Sequence, residues 1–100
     1  MKTRIGLAAL IAVAFSAAGP ALAQGPATPL VAQSCAGCHG QSGEGEGAIP
    51  AIAGYDREAF VEVWEAFRAN ERPATIMNRI ARGFTDDEVA VLADYFSSLR

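Results

Sequence analysis

The segment Cys35-Ala36-Gly37-Cys38-His39 decides the architecture of this 100-residue chain. Its two thiols and one imidazole form a C-x-x-C-H motif, which is typical of c-type haem attachment. The thiols can add to the vinyl groups of a haem to make thioethers, and the imidazole can bind the iron from one side. The motif therefore predicts one covalently bound haem c, attached through Cys35 and Cys38 and ligated by His39.

Other uses of two closely spaced cysteines fit this chain less well. A thiol–disulfide oxidoreductase would place the pair in a strand–helix–strand setting, but no segment shows sustained period-two alternation. A structural zinc ion takes four ligands, and the chain offers two cysteines and one histidine. A disulfide that closes so short a loop would constrain the unfolded chain little. Haem attachment is therefore the favoured interpretation.

Met77 is the candidate for the second axial ligand. Once Met1 is removed it is the only methionine, and it lies far enough downstream to cover the opposite face of the haem. A thioether opposite histidine raises the reduction potential and closes the coordination sphere, which suits electron transfer. The alternative is a methionine that fills a gap in the core. We predict that Met77 ligates the iron.

The N-terminal residues predict export from the cytoplasm. Lys2 and Arg4 precede an apolar stretch over residues 5–15, and Ala21-Leu22-Ala23 supplies an A-x-A cleavage site, as in a secretory signal peptide. The apolar stretch is shorter than the ~20 residues of a membrane-spanning helix. We therefore expect residues 1–23 to be removed by the general secretion route, which delivers the protein to the periplasm.

Cleavage at this site would leave one small acidic domain. Residues 24–29 are expected to form a flexible leader, and residues 30–100 the domain itself. Six arginines and eleven acidic residues remain, a formal net charge of −5. This charge argues against nucleic acid and anionic membranes as partners, and it suits a redox protein with a basic patch. We expect no stable membrane insertion after signal cleavage.

The first half of the domain is predicted to contain two helices separated by a long loop. Thr28-Pro29 predicts an N-cap and first residue for a helix that continues to the cysteines. Residues 40–54 contain five glycines and Pro50, which predicts a loop. Asp56 is the expected N-cap of an amphipathic second helix, which should fray near Asn70 and end before Pro73.

The second half is predicted to contain two more helical segments. A short helix is expected from about residue 75 to 82. The sequence Thr85-Asp86-Asp87-Glu88 forms a capping box at the start of a terminal helix. One apolar stripe on that helix should be buried, and it comprises Val89, Leu92, Ala93, Phe96 and Leu99. With no strand pattern anywhere, the sequence predicts an all-α domain.

Several supporting roles remain open from sequence. Either Pro50 or Ile49 could offer a backbone carbonyl to Nδ1 of His39 and so fix the ring. Trp64 could contact a redox partner or pack beside the porphyrin. Three arginines could neutralise the haem propionates or stay solvated, namely Arg72, Arg79 and Arg82.

Taken together, these features resemble the class I cytochrome c family. More narrowly, four segments look like the cytochrome subunit of flavocytochrome c sulfide dehydrogenase: residues 49–54, 75–83, 85–88 and 92–96. The resemblance implies a small class I cytochrome c fold with helices packed around one covalently bound haem. It also implies attachment through Cys35 and Cys38, with His39 and Met77 as axial ligands. Well-known members of that family carry two haem domains, whereas this chain has one motif.

The resemblance also implies a function. The chain would be an electron-transfer protein rather than an enzyme, and it would act as a subunit that accepts electrons from a sulfide-oxidising flavoprotein. A free-standing diffusible carrier to an oxidase or photosynthetic reaction centre is the alternative. A haem enzyme or gas sensor is a third hypothesis, which requires Met77 to dissociate from the iron.

Overall fold

The computed structural model describes residues 27–99 and the isolated positions 6, 9, 12–14 and 19. Most of the expected signal peptide over residues 1–23, and the first part of the leader, therefore lie outside the described residues. Within residues 27–99 the structure is helical, with one isolated β-bridge between Glu46 and Ile49. The elements are α1 (Leu30–Gln33), α2 (Ala36–His39), α3 (Arg57–Arg68), α4 (Met77–Ile80), a 3₁₀ turn (Ala81–Gly83) and α5 (Asp86–Ser98).

The helical prediction is confirmed for this part of the chain. None of the helices that the structure describes is long and apolar enough to cross a bilayer.

The hydrophobic core forms where α3 packs along α5. Phe60 of α3 stacks with Trp64 and with Phe96 of α5, and the ring centroids of each pair are 5.9 Å apart. The apolar stripe predicted on the terminal helix faces this core, and Leu99 packs against it just beyond the last helical residue. The other members of the stripe are buried: Val89, Leu92, Ala93 and Phe96.

Both predicted caps that begin the long helices are confirmed. The side chain of Asp56 accepts a hydrogen bond from the Ala59 N–H at the start of α3 (3.1 Å). At the start of α5, the Glu88 N–H donates to the Thr85 hydroxyl (3.2 Å), and the Thr85 N–H donates to the Glu88 carboxylate (2.9 Å). These reciprocal bonds form the capping box and fix where α5 begins.

The end of α3 is set by Asn70 and not by proline. Asn70 adopts a left-handed backbone conformation with φ 57°. Its N–H donates to the Phe67 carbonyl (3.1 Å), and the Glu71 N–H donates to the Ala66 carbonyl (2.8 Å). This pair of bonds is a Schellman motif, which satisfies the last carbonyls of the helix. The helix therefore stops well before Pro73.

The prediction of one continuous first helix, capped by Thr28, was wrong in two respects. The N-cap is Pro29, and the Thr28 hydroxyl instead forms a hydrogen bond with the Tyr95 hydroxyl (2.9 Å). The helix is also interrupted at Ser34, whose hydroxyl donates to the Val31 carbonyl (3.3 Å). A serine side chain that bonds a nearby carbonyl competes with the helical backbone, which accounts for the break between α1 and α2.

Replacing Leu92 with alanine tests the buried face of α5. Leu92 is 0% exposed, so the substitution should leave a cavity and lower the free energy of unfolding by about 2–5 kcal/mol. Its neighbour Val91 is 43% exposed. Val91→Ala is therefore the matched control, with an expected change of about 0.5 kcal/mol or less. Denaturant unfolding of both variants measures the difference, and equal losses would contradict this orientation of α5.

Candidate haem site

Helix α2 and the residue that caps it present two thiols and an imidazole on about one turn. Positions 35, 38 and 39 are three and four residues apart, so their side chains project from the same side. Cys38 is exposed, Cys35 is partly buried against the core, and His39 is 8% exposed. The structure thus brings together three of the four site residues predicted from sequence.

Burial raises the pKa of the Cys35 thiol above its ordinary value, and hydrogen bonds to Ser34 and the backbone offset part of this rise. Cysteines that attack disulfides have a lowered pKa, because the thiolate is the nucleophile. The Cys35 thiol does not share this feature.

The ring of His39 is oriented by the loop that follows α2. Its Nδ1 lies 2.7 Å from the carbonyl oxygen of Pro50, which answers the choice between Pro50 and Ile49 left open by sequence. A carbonyl can only accept, so Nδ1 carries the hydrogen and donates it. In the neutral ring, Nε2 then has a free lone pair, which is the form of imidazole that binds a metal.

Gly45 allows this loop to close against α2. Its N–H donates to the backbone carbonyl of His39 (2.7 Å), and its φ of 74° lies in the left-handed region. A Cβ at this position would lie 2.6 Å from the Ile49 carbonyl oxygen and from the Ala51 nitrogen. The loop segment that contains Pro50 can therefore approach His39 only because residue 45 has no side chain.

Met77, the fourth predicted residue, lies at the first position of α4. It is partly buried and packs against the core. The C-terminal end of α4 is held by Trp64, whose Nε1–H donates to the carbonyl of Ala81, the residue directly after the helix (3.2 Å). Because Trp64 is 5% exposed, the structure supports the packing role for this residue over direct contact with a partner.

The three arginines proposed to neutralise haem propionates are all exposed. The guanidinium of Arg72 lies over the Phe67 ring, 5.5 Å from its centroid. The role of these arginines toward propionates stays a prediction.

Arg68 is a structural residue that the sequence reasoning missed. It donates to Glu65 (2.7 Å), to Asp86 (2.7 Å) and to the Phe84 carbonyl (3.0 Å), and so joins the end of α3 to the start of α5. The hydrogen bond to Asp86 is the main cause that raises the pKa of Arg68. The signal in the sequence was the glutamate three residues earlier on the same helix.

Comparison with known proteins decides the family. The family model described as Cytochrome c matches residues 27–100, which is most of the chain. This protein belongs to the cytochrome c family. Its C-x-x-C-H motif, formed by Cys35, Cys38 and His39, fits one covalently bound haem c, and its function is electron transfer and not catalysis.

The similar proteins include subunits and electron acceptors of dehydrogenases. The cytochrome subunit of sulfide dehydrogenase from Chlorobaculum tepidum is 36% identical, over 85% of this chain and 83% of the relative. The thiosulfate dehydrogenase electron acceptor of Stutzerimonas stutzeri is also 36% identical, over 65% of this chain but only 32% of the relative. This cytochrome therefore spans most of the first relative and about a third of the second.

A solved structure supports the class I cytochrome c fold. The cytochrome c4 structure from Acidithiobacillus ferrooxidans matches with a TM-score of 0.63 and 35% sequence identity. The match covers 66% of this chain and 38% of that chain.

The residues of this cytochrome fit a haem on the evidence of their own structure. Nε2 of His39 is available as a ligand, and the thioether of Met77 is the softer donor expected on a cytochrome iron. Three large apolar side chains lie within three residues of Pro50 or Met77 in sequence and are 37–53% exposed: Ile49, Ile76 and Ile80. Exposed apolar side chains in these two segments are groups that the apolar face of a porphyrin would cover.

Replacing Gly45 with alanine is expected to weaken the hydrogen bond between His39 and Pro50. The added Cβ would push residues 49–51 away from α2, and the imidazole would become a poorer electron donor. We therefore expect a higher reduction potential and a loss of stability greater than the roughly 1–2 kcal/mol that a left-handed alanine costs. Potentiometric titration and denaturant unfolding measure the two effects.

Gly47→Ala is the matched control for this prediction. Gly47 also has a positive φ of 58°, but no atom lies within 4 Å of the Cβ that alanine would add. The Gly47→Ala variant should lose stability through backbone strain alone and keep the reduction potential of the parent. Equal shifts of potential in the two variants would contradict the role given to Gly45.

Proposed function

We propose that this cytochrome is exported to the periplasm and accepts electrons from a sulfide-oxidising flavoprotein, to which it binds as a subunit. The observation that carries the proposal is the extent of the match to the sulfide dehydrogenase subunit. That match covers 85% of this chain and 83% of the relative, so the similarity extends over nearly the whole relative and not over one domain of it.

In this proposal, Cys35 and Cys38 form the thioether bonds, and His39 and Met77 are the axial ligands. When bound, the haem iron supplies a site that gains and loses one electron at a time. The short helix α2 and its N-cap, Cys35, hold both thiols and the imidazole in a fixed relation to one another. Met77 supplies a sulfur ligand from a separate helix, α4, which packs against the same core.

The hydrogen bond to His39 and the thioether of Met77 have opposite effects on the reduction potential. The bond from Nδ1 of His39 to the Pro50 carbonyl increases electron donation from the ring, which favours the ferric state. A thioether at Met77 has the opposite effect and raises the potential. Met77 and Cys35, the residue that caps the helix of His39, both pack against one core, so this chain would hold the two ligands in place in either oxidation state of a bound haem. A small rearrangement of this kind favours fast electron transfer.

Export is the part of the proposal that rests on residues 1–23. A signal peptide with cleavage after Ala23 would leave Gln24 as the first residue of the mature protein. N-terminal sequencing of the protein from its native host is expected to begin at Gln24. A sequence that begins at Met1 would refute export by this route.

The partner can be tested by purification of the cytochrome from its native host under conditions that keep complexes intact. A flavin-containing protein should co-purify, and sulfide should reduce the haem of the complex. Because the expected mature protein has a net charge of −5, reduction of the separated cytochrome by that flavoprotein should slow as salt is added. A stable monomer with no flavoprotein, unreduced by sulfide, would argue against the subunit role.

A second candidate function is favoured by the thiosulfate dehydrogenase electron acceptors among the relatives. Their names suggest a separate carrier that receives electrons from a dehydrogenase. In the same experiment, this candidate predicts a monomer that a thiosulfate-oxidising fraction reduces and a sulfide-oxidising flavoprotein does not.

A further inference from the structure

The helix that carries Met77 is too short to be stable alone. Helix α4 has four residues, and its N-cap, Ile76, makes no side-chain hydrogen bond to it. All six residues before it, 71–76, are exposed. Isolated helices shorter than about 12 residues are marginal in water, so tertiary contacts must hold α4 in place.

One such contact is made by Asn78, the residue directly after Met77. The Asn78 amide donates to the side-chain oxygen of Asn70 (3.1 Å), at the end of α3. The remaining amide atom of Asn78 is buried and has no hydrogen-bond partner among the described residues. Among the described residues, the hydrogen bond to Asn70 is therefore the one polar contact of this partly buried side chain.

The identity of residue 70 points to the same contact. Its left-handed backbone, φ 57°, ends α3 in a Schellman motif, and glycine adopts this conformation at the lowest cost. Termination of the helix therefore does not by itself call for asparagine. A glycine would end α3 equally well but would offer no side chain to Asn78.

We propose that Asn70 and Asn78 form an amide pair that positions Met77 toward the haem iron. The inference rests on the proposed ligation of iron by Met77 and deepens it. The pair ties the first half of α4 to the end of α3, while the bond from Trp64 to Ala81 ties the turn that follows. Without the pair, the start of α4 is released and the sulfur ligand dissociates more readily. Asn70 and Asn78 thus act on the iron through Met77, as positioning residues.

The test measures how easily imidazole displaces the sulfur ligand from the ferric holoprotein. Three variants are compared with the parent: Asn70→Gly, Asn78→Ala and the double variant. Each single variant should bind imidazole roughly 3- to 10-fold more tightly, the range expected for loss of one typical hydrogen bond between side chains. The double variant should bind imidazole only slightly more tightly than the tighter-binding single variant, because the two residues act through one contact.

Asn70→Gly separates positioning from general stability, since glycine accepts the left-handed backbone and preserves the end of α3. Its helical circular dichroism should match the parent, and its reduction potential should fall as the sulfur bond weakens. Thr75→Ala, at an exposed position before α4, is the control and should change neither imidazole binding nor potential.

The outcomes distinguish this inference from the proposed function. If the parent protein lacks sulfur–iron absorption, ligation by Met77 fails, and the inference falls with it. If that absorption is present but both single variants bind imidazole as the parent does, the inference alone is overturned. Fully multiplicative effects in the double variant would also overturn it, because they would show that the two residues act independently.

Discussion

Met77→Ala is expected to abolish the visible absorption that comes from sulfur–iron bonding and to lower the reduction potential by on the order of 0.1 V or more. Axial ligands tune haem potentials over roughly 0.8 V, and a thioether lies toward the high end because it favours ferrous iron. Removing it opens one coordination position to water or added ligands. The spectrum of the oxidised protein and a potentiometric titration measure the two effects.

Met77→Leu is the decisive companion variant. Leucine nearly conserves the volume and apolar character of methionine, so it preserves packing while it removes the sulfur. If Met77 only filled a gap in the core, the leucine variant would keep the parental spectrum. We expect it to lose the sulfur–iron absorption as completely as the alanine variant does, and an unchanged spectrum would refute ligation.

Replacing both Cys35 and Cys38 with serine is expected to eliminate covalent haem. Serine cannot form the thioether bonds, so mass spectrometry of the denatured protein should show only the bare polypeptide. Each single serine variant retains one thiol. It should give a mixture of bare polypeptide and polypeptide that holds haem through one thioether bond. Expression must take place in a host that matures c-type cytochromes.

The same double variant should lose most of its folded structure. A domain of this size has a small hydrophobic core, and a tightly bound cofactor contributes to folding stability. Circular dichroism is expected to show a large loss of helix. Ser34→Ala, on the same turn, is the control and should retain haem and helix. Full covalent haem in the double serine variant would contradict the attachment sites.

Local sequence signals predicted the features that depend on a few neighbouring residues. The Thr85 capping box and the Asp56 N-cap appear where expected, because each needs only a side chain and an N–H three residues away. The apolar stripe of α5 was equally clear, since its spacing follows the helical period. The placement of Cys35 and Cys38 on one turn follows from their separation along the chain.

These local signals could not predict contacts between residues that are far apart in the sequence, or the conformation of single loop residues. Thr28 was predicted to cap a helix, but its hydroxyl bonds Tyr95, 67 positions away. Helix α3 was expected to fray near Asn70 and to end before Pro73, and it does end there. The left-handed conformation of Asn70 that stops it was not foreseen. The carbonyl that orients His39 could be narrowed only to Pro50 or Ile49, because any residue of a loop offers a carbonyl. Such partners depend on how the loop folds back.

The loop after α2 is held in its shape by hydrogen bonds between its own main-chain atoms. The Gly43 carbonyl accepts hydrogen bonds from the N–H groups of Ile52 (2.8 Å) and Ala53 (3.0 Å). Side chains at exposed positions between the glycines, such as Gln41 and Ala48, therefore contribute little to the shape of the loop. Charged residues can therefore be substituted at such positions without a change in the loop backbone. We expect substitutions of this kind to alter which electron donor the cytochrome binds.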